Sequence, residues 1–131
     1  MPQSKTVTLA TANTSRTGAT GAVEILYEAD GPRYIDRVEW TPLGTNVATA
    51  ARIFLNYAEP FTEPTNNGLL KEVTLPSSTA SEVAALAQVS VDLDQYIDRG
   101  QRLIVSIGTT IAAGVAVRAV VGNHRNDFNT V

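Results

Sequence analysis

Gln88-Val-Ser-Val-Asp-Leu-Asp-Gln-Tyr-Ile-Asp-Arg-Gly-Gln-Arg-Leu-Ile-Val-Ser-Ile107 decides the fold class. Val89, Val91 and Leu93 alternate with Gln88, Ser90 and Asp92, a two-residue period that belongs to a strand with one buried and one wet face. After Asp94–Gly100 the period resumes: Leu103, Val105 and Ile107 point one way, Arg102, Ile104 and Ser106 the other. Gly100 suits the reversal between them, because a tight turn needs a positive φ that side chains with a Cβ adopt only under strain.

The same design repeats on both sides, and eight strands are expected. Lys5–Thr11 alternates through Val7 and Leu9. Thr11–Gly21, rich in Thr, Asn, Ser and Gly, reads as a loop or extended arm. Ala22–Glu28 places Val23, Ile25 and Tyr27 on one face, and Ala29-Asp-Gly-Pro-Arg33 turns the chain. In Tyr34–Thr41, Ile35 is out of phase with Val38 and Trp40, which predicts a β-bulge; Pro42 marks an edge or an exit. Ala48–Tyr57 sets Ile53, Leu55 and Tyr57 against Phe54, so its second half is expected to be covered on both faces. Glu59–Gly68 is a loop with two prolines, and Leu69–Leu75 is a strand halted by Pro76.

Ser77–Ala87 reads two ways, as a loop or as a helical turn opened by a Thr79/Glu82 capping box. Gln88–Leu93, Gln101–Ile107 and Gly114–Val121 complete the set, followed by a polar tail, Asn123–Val131. Eight short strands separated by turn signals indicate one all-β domain, an antiparallel sandwich of two sheets. Eight is the strand number of a jelly roll; periodicity does not separate that from a barrel.

Composition narrows the function classes. The 131 residues are enough for one hydrophobic core. Net charge is −3 and the ten basic residues are dispersed, without the basic stripe of a phosphate-binding surface, so neither nucleic acid nor an anionic membrane is expected as a partner. With no cysteine there is neither a disulfide framework nor a thiolate metal site. Met1–Lys5 lacks the apolar run of a signal peptide, and no stretch approaches the roughly 20 apolar residues of a membrane span. The expected setting is a soluble compartment, unless the protein leaves the cell within a larger particle.

Candidate chemistry is thin. His124 is the single histidine and sits in the tail, a poor place for the rigidly held base of a nucleophilic triad. One histidine also argues against a cupin metal site. Asp92, Asp94 and Asp98 are the best cation candidates, but their spacing does not match an EF-hand, and alternation explains the first two as a strand's wet face. Glu24, Glu28 and Glu39 are the carboxylates a glycosidase would pair. Trp40, Tyr34, Tyr57 and Tyr96 could form a sugar-stacking platform, although Trp40 is in phase with Val38 and so is expected in the core. No catalytic residue, metal or cofactor is assigned.

One resemblance is specific. Thr11–Gly21, Ala51–Asn56, Asn66–Pro76, Ser78–Glu82, Asp98–Leu103 and Gly108–Gly114 occur together and in order, and resemble segments of small virion proteins of tailed bacteriophages and prophages. The likeness covers roughly residues 8 to 123. Such proteins are similar to jelly-roll decoration, or cement, proteins. The resemblance implies a non-enzymatic structural protein, made in the host cytoplasm, that binds the major capsid protein on the outside of the virion. It also implies self-association, with a homotrimer as the natural form. Asn13, Arg16, Thr17, Phe61, Asn66, Asn67, Arg125 and Phe128 are the residues expected to contact another copy or the shell. The alternative is a carbohydrate- or receptor-binding module of a phage tail; an enzyme of the cupin or glycosidase kind comes third.

Overall fold

A computed structural model describes residues 6–57 and 67–122. Its strands are β1 (Thr6–Leu9), β2 (Glu24–Glu28), β3 (Arg33–Pro42), β4 (Thr49–Asn56), β5 (Asn67–Leu75), β6 (Val89–Ile97), β7 (Arg102–Ile107) and β8 (Val115–Gly122). There is no helix among the described residues. Ser77–Ala87 is irregular, so the helical alternative is discarded. Backbone donors within it go to side chains instead of to a helical turn: Ala80 N–H donates to Thr45 Oγ1 and Val83 N–H to Ser81 Oγ.

The strands form two four-stranded antiparallel sheets, ordered β1-β8-β3-β6 and β2-β7-β4-β5. The pairs β1–β8, β2–β7, β3–β6 and β4–β5 are the successive rungs of one long hairpin with its apex between β4 and β5. Successive rungs go alternately to one sheet and the other, and β3–β8 and β4–β7 pairs close each sheet. The inward residues of both sheets share one core, with Val38, Trp40, Val91 and Val117 from the first and Ile53, Leu103, Val105 and Ile107 from the second. The protein is a β-sandwich.

Alternation placed most of these residues correctly, and the exceptions are local. The Gln88–Ile107 stretch is not a hairpin: β6 and β7 belong to different sheets, and the turn between them, with Gly100 at φ +84°, carries the chain across. The bulge expected near Ile35 is present. Val121 and Val120 are adjacent on β8 yet face Ile35 and Arg37, which leaves Asp36 as the extra residue and brings Ile35 and Val38 both into the core. A second bulge, at Leu26, was not foreseen. The register slips between Ile25 and Tyr27, so Leu26 and Tyr27 are core residues while Ile25 lies opposite Ile104.

Candidate interaction surfaces

The outer face of the β2-β7-β4-β5 sheet is covered. Every residue of β7 is buried, including Arg102, Ile104 and Ser106 on the outward side, and Phe54 and Ile53 are buried on opposite sides of β4. Across this face runs the Thr11–Gly21 arm, folded into a small loop of its own. Asn13 and Gly21 form an isolated bridge, and Thr14 N–H donates to Thr20 O at 3.1 Å. Gly21 is required there: at φ +119° a Cβ would sit 2.1 Å from Ala12 O.

Buried asparagine and arginine side chains hold the arm down. Asn13 N–H donates to Ile107 O at 2.6 Å. Its side chain donates to Gly18 O at 3.0 Å and accepts from Ser15 N–H at 3.1 Å. Arg52 Nη1 donates to Asn13 O at 2.9 Å, while its Nε lies 2.7 Å from Glu72. Arg16, on the arm, reaches the same carboxylate at 3.1 Å. On the far side of the Phe54 row, Asn67 Nδ2 donates to Thr17 O at 2.9 Å. Asn67 also accepts from Asn56 Nδ2 at 2.7 Å, and Asn56 in turn accepts from Arg102, which pairs with Glu28.

These contacts tune Glu72. The hydrogen bond from Arg52 holds its carboxyl below the usual carboxylate range, against a desolvation that pushes the other way. The opposite outer face, on β1-β8-β3-β6, is polar and is crossed by no other segment among the described residues. Glu39 accepts from Arg118 and Arg37 there, and these hydrogen bonds, Arg118 first, lower its carboxyl as well.

The third surface is one end of the sandwich, where residues 43–48, 76–88 and 108–114 connect strands. Asn46 ties the three together. Its backbone pairs with Ser78, its Nδ2 donates to Gly114 O at 2.9 Å, and its Oδ1 accepts from Ala113 N–H at 2.8 Å. Beneath the 76–88 segment lies a cleft of about 220 Å³, lined by Trp40, Leu75, Pro76, Leu86, Val89 and Val115 among others. Trp40 is 0% exposed, and its indole N–H has no partner among the described residues.

The contact residues expected from the sequence fall into two groups. Asn13, Arg16, Thr17 and Asn67 come together at the arm, Asn13 fully buried and Arg16 and Thr17 exposed. Phe61, Asn66, Arg125, Phe128 and the tail histidine His124 lie outside the described residues. Of the carboxylates a glycosidase would pair, Glu24 and Glu28 lie on β2 and Glu39 on β3. Glu28 is engaged by Arg102 and Glu39 by Arg118 and Arg37, on different sheets. Among the described residues no three His, Cys, Asp or Glu side chains cluster as metal ligands. Tyr34 packs on Tyr96 at 5.0 Å between ring centroids and donates its hydroxyl to Asp94, while Trp40 is in the core; the four aromatics make no common platform.

Sequence reasoning missed Arg52, Asn56, Glu72, Arg102 and Asn46. The usable signal was Arg52-x-Phe54-x-Asn56 beside Arg102-x-Ile104-x-Ser106, where a large apolar residue interrupts each polar face. Fold and surfaces together define a β-sandwich with one sheet face strapped, one polar and one end cross-tied. Comparison with protein-family models, curated proteins and solved structures gives no match for the chain.

Proposed function

We propose that this protein is a non-enzymatic structural component of a tailed-phage particle, binding the outer capsid surface as an oligomer and stabilising contacts between capsomers. The strand order carries this reading. Rungs of one long hairpin laid alternately into β1-β8-β3-β6 and β2-β7-β4-β5 fit a jelly roll, an architecture shared by viral capsid domains, lectins and cupins. The ordered segments that resemble virion cement proteins select the first of these. Burial of Trp40 counts against the lectin alternative, since a core indole cannot stack on a sugar.

The mechanism is multivalent surface binding: several weak contacts per oligomer gain strength from effective concentration once the first has formed. A strapped arm suits that role, because a loop already ordered loses little entropy on docking. A homotrimer, matching the local three-fold points of a shell, is the form this reading favours. Purified virions test it. The chain should be found by mass spectrometry with the major capsid protein, in stoichiometric amounts; virions that lack it would sink the proposal.

A further inference from the structure

The two ends of the sandwich differ in charge. At the end holding Pro42, Leu75, Ile107 and Val115, the connecting residues 43–48, 76–88 and 108–114 carry one ionisable side chain, Glu82, although 18% of the chain is charged. The arm's first residues, 10–14, meet this end through Ile111 N–H to Ala10 O and Ala12 N–H to Thr110 Oγ1, and are uncharged too. The same end exposes aliphatic side chains to water: Val83 is 96% exposed, Val47 60% and Leu43 51%. At the opposite end the described turns carry Asp30, Asp98 and Arg99.

This uncharged surface is also ordered in advance. Asn46 binds its three connections to one another, and Thr49 Oγ1 accepts from Thr109 N–H at 2.9 Å. Fixed loops displaying Leu, Val, Ala and Thr lose little on association and gain by removing apolar area from water.

From this pairing of charge silence with exposed aliphatics we infer that the 43–48/76–88/108–114 end is where two copies of this chain meet. Charge decides the occupant. A partner presenting ions here would bury them without counter-charges, which is costly. A second copy presents the same surface, charged only at Glu82, so these ends gathered about the proposed three-fold axis meet with less repulsion than the net charge of −3 imposes elsewhere. The inference rests on the oligomeric part of the cement reading and not on its capsid part.

Sedimentation equilibrium of the full chain tests it, using wild type, Val47→Glu, Val83→Glu and, at the opposite end, Arg99→Glu. All three positions are exposed, and circular dichroism checks that each variant is folded; the two valine variants stand in for each other. Wild type should associate, each valine variant should associate at least roughly tenfold more weakly, and Arg99→Glu should match wild type. The inference is overturned by a monomeric wild type, by valine variants that associate as wild type does, or by an Arg99→Glu loss as large as theirs. Cosedimentation with stripped capsids separates the two ideas. A monomer that binds capsids ends this inference and the oligomeric part of the reading but leaves capsid binding standing, and an oligomer that ignores them ends the capsid reading alone.

Discussion

Arg52 Nε lies 2.7 Å from the Glu72 carboxylate while its Nη1 donates to Asn13 O, so one buried guanidinium joins a strand pair to the arm that crosses it. Arg52 and Glu72 are register partners on β4 and β5. The same carboxylate also receives Arg16 from the arm. The arm's attachment therefore depends on a charge pair inside the sheet.

Removing that guanidinium should free the arm first. In Arg52→Ala the Asn13 carbonyl loses this donor and Glu72 keeps only Arg16, and local opening should rise well before global stability fails. Tryptic cleavage after the exposed Arg16 should speed up by roughly tenfold or more. An unchanged cleavage rate would mean that other bonds suffice to hold the arm.

Acid should weaken the fold through Glu72 and Glu39. Arginine hydrogen bonds hold both carboxyls below their ordinary value near 4.5. A carboxyl with a depressed folded pKa adds stability that is full above its unfolded value and is lost as pH falls through the folded one. The melting temperature should hold from neutral pH down to the ordinary carboxylate range and fall below it. Glu72→Gln should start lower at neutral pH and lose less in acid; an identical acid slope would assign the loss to other groups.

Trp40 should behave as core. Trp40→Ala removes a fully buried ring and should cost about 3–5 kcal/mol, a large part of the roughly 5–15 kcal/mol typical of a domain. Trp40→Phe should cost much less, because the indole N–H has no partner to lose. Denaturant melts measure both. A red-shifted, readily quenched emission in the native protein would contradict this burial.

Asn46→Ala should loosen the uncharged end. It removes the acceptor of Ala113 N–H and one of the two donors to Gly114 O, which keeps Leu43 N–H, and each lost hydrogen bond costs about 0.5–1.5 kcal/mol. Chemical denaturation should register the loss, and hydrogen exchange should place it in residues 43–48 and 108–114. Equal protection in the variant would show that Asn46 is not the hub.

How much of this was legible in the sequence differs by element. The inward residues of β7 and β8 follow the two-residue period, and Ile35's phase error announced its bulge, because an extra residue in a regular strand displaces every later side chain. The Leu26 bulge left no such trace: Ile25, Leu26 and Tyr27 are all apolar, so a slip among them does not alter the pattern. The β5 start moved back to Asn67, and β6 ran on to Ile97 through Asp94 at φ +48°, because partner strands impose pairing on residues with weak strand preference of their own. The arm's latch was unreadable for a further reason. Arg52, Asn13 and Glu72 are distant in sequence, and only the register of β4 on β5 brings them together.

Rebinding to stripped capsids tests attachment to the shell itself. Purified protein should cosediment saturably with capsids from which it has been removed, at a fixed ratio to the major capsid protein, and should restore the shell's resistance to heat. Protein that stays in the supernatant at every concentration, or that binds without saturation and leaves the heat resistance unchanged, would contradict it.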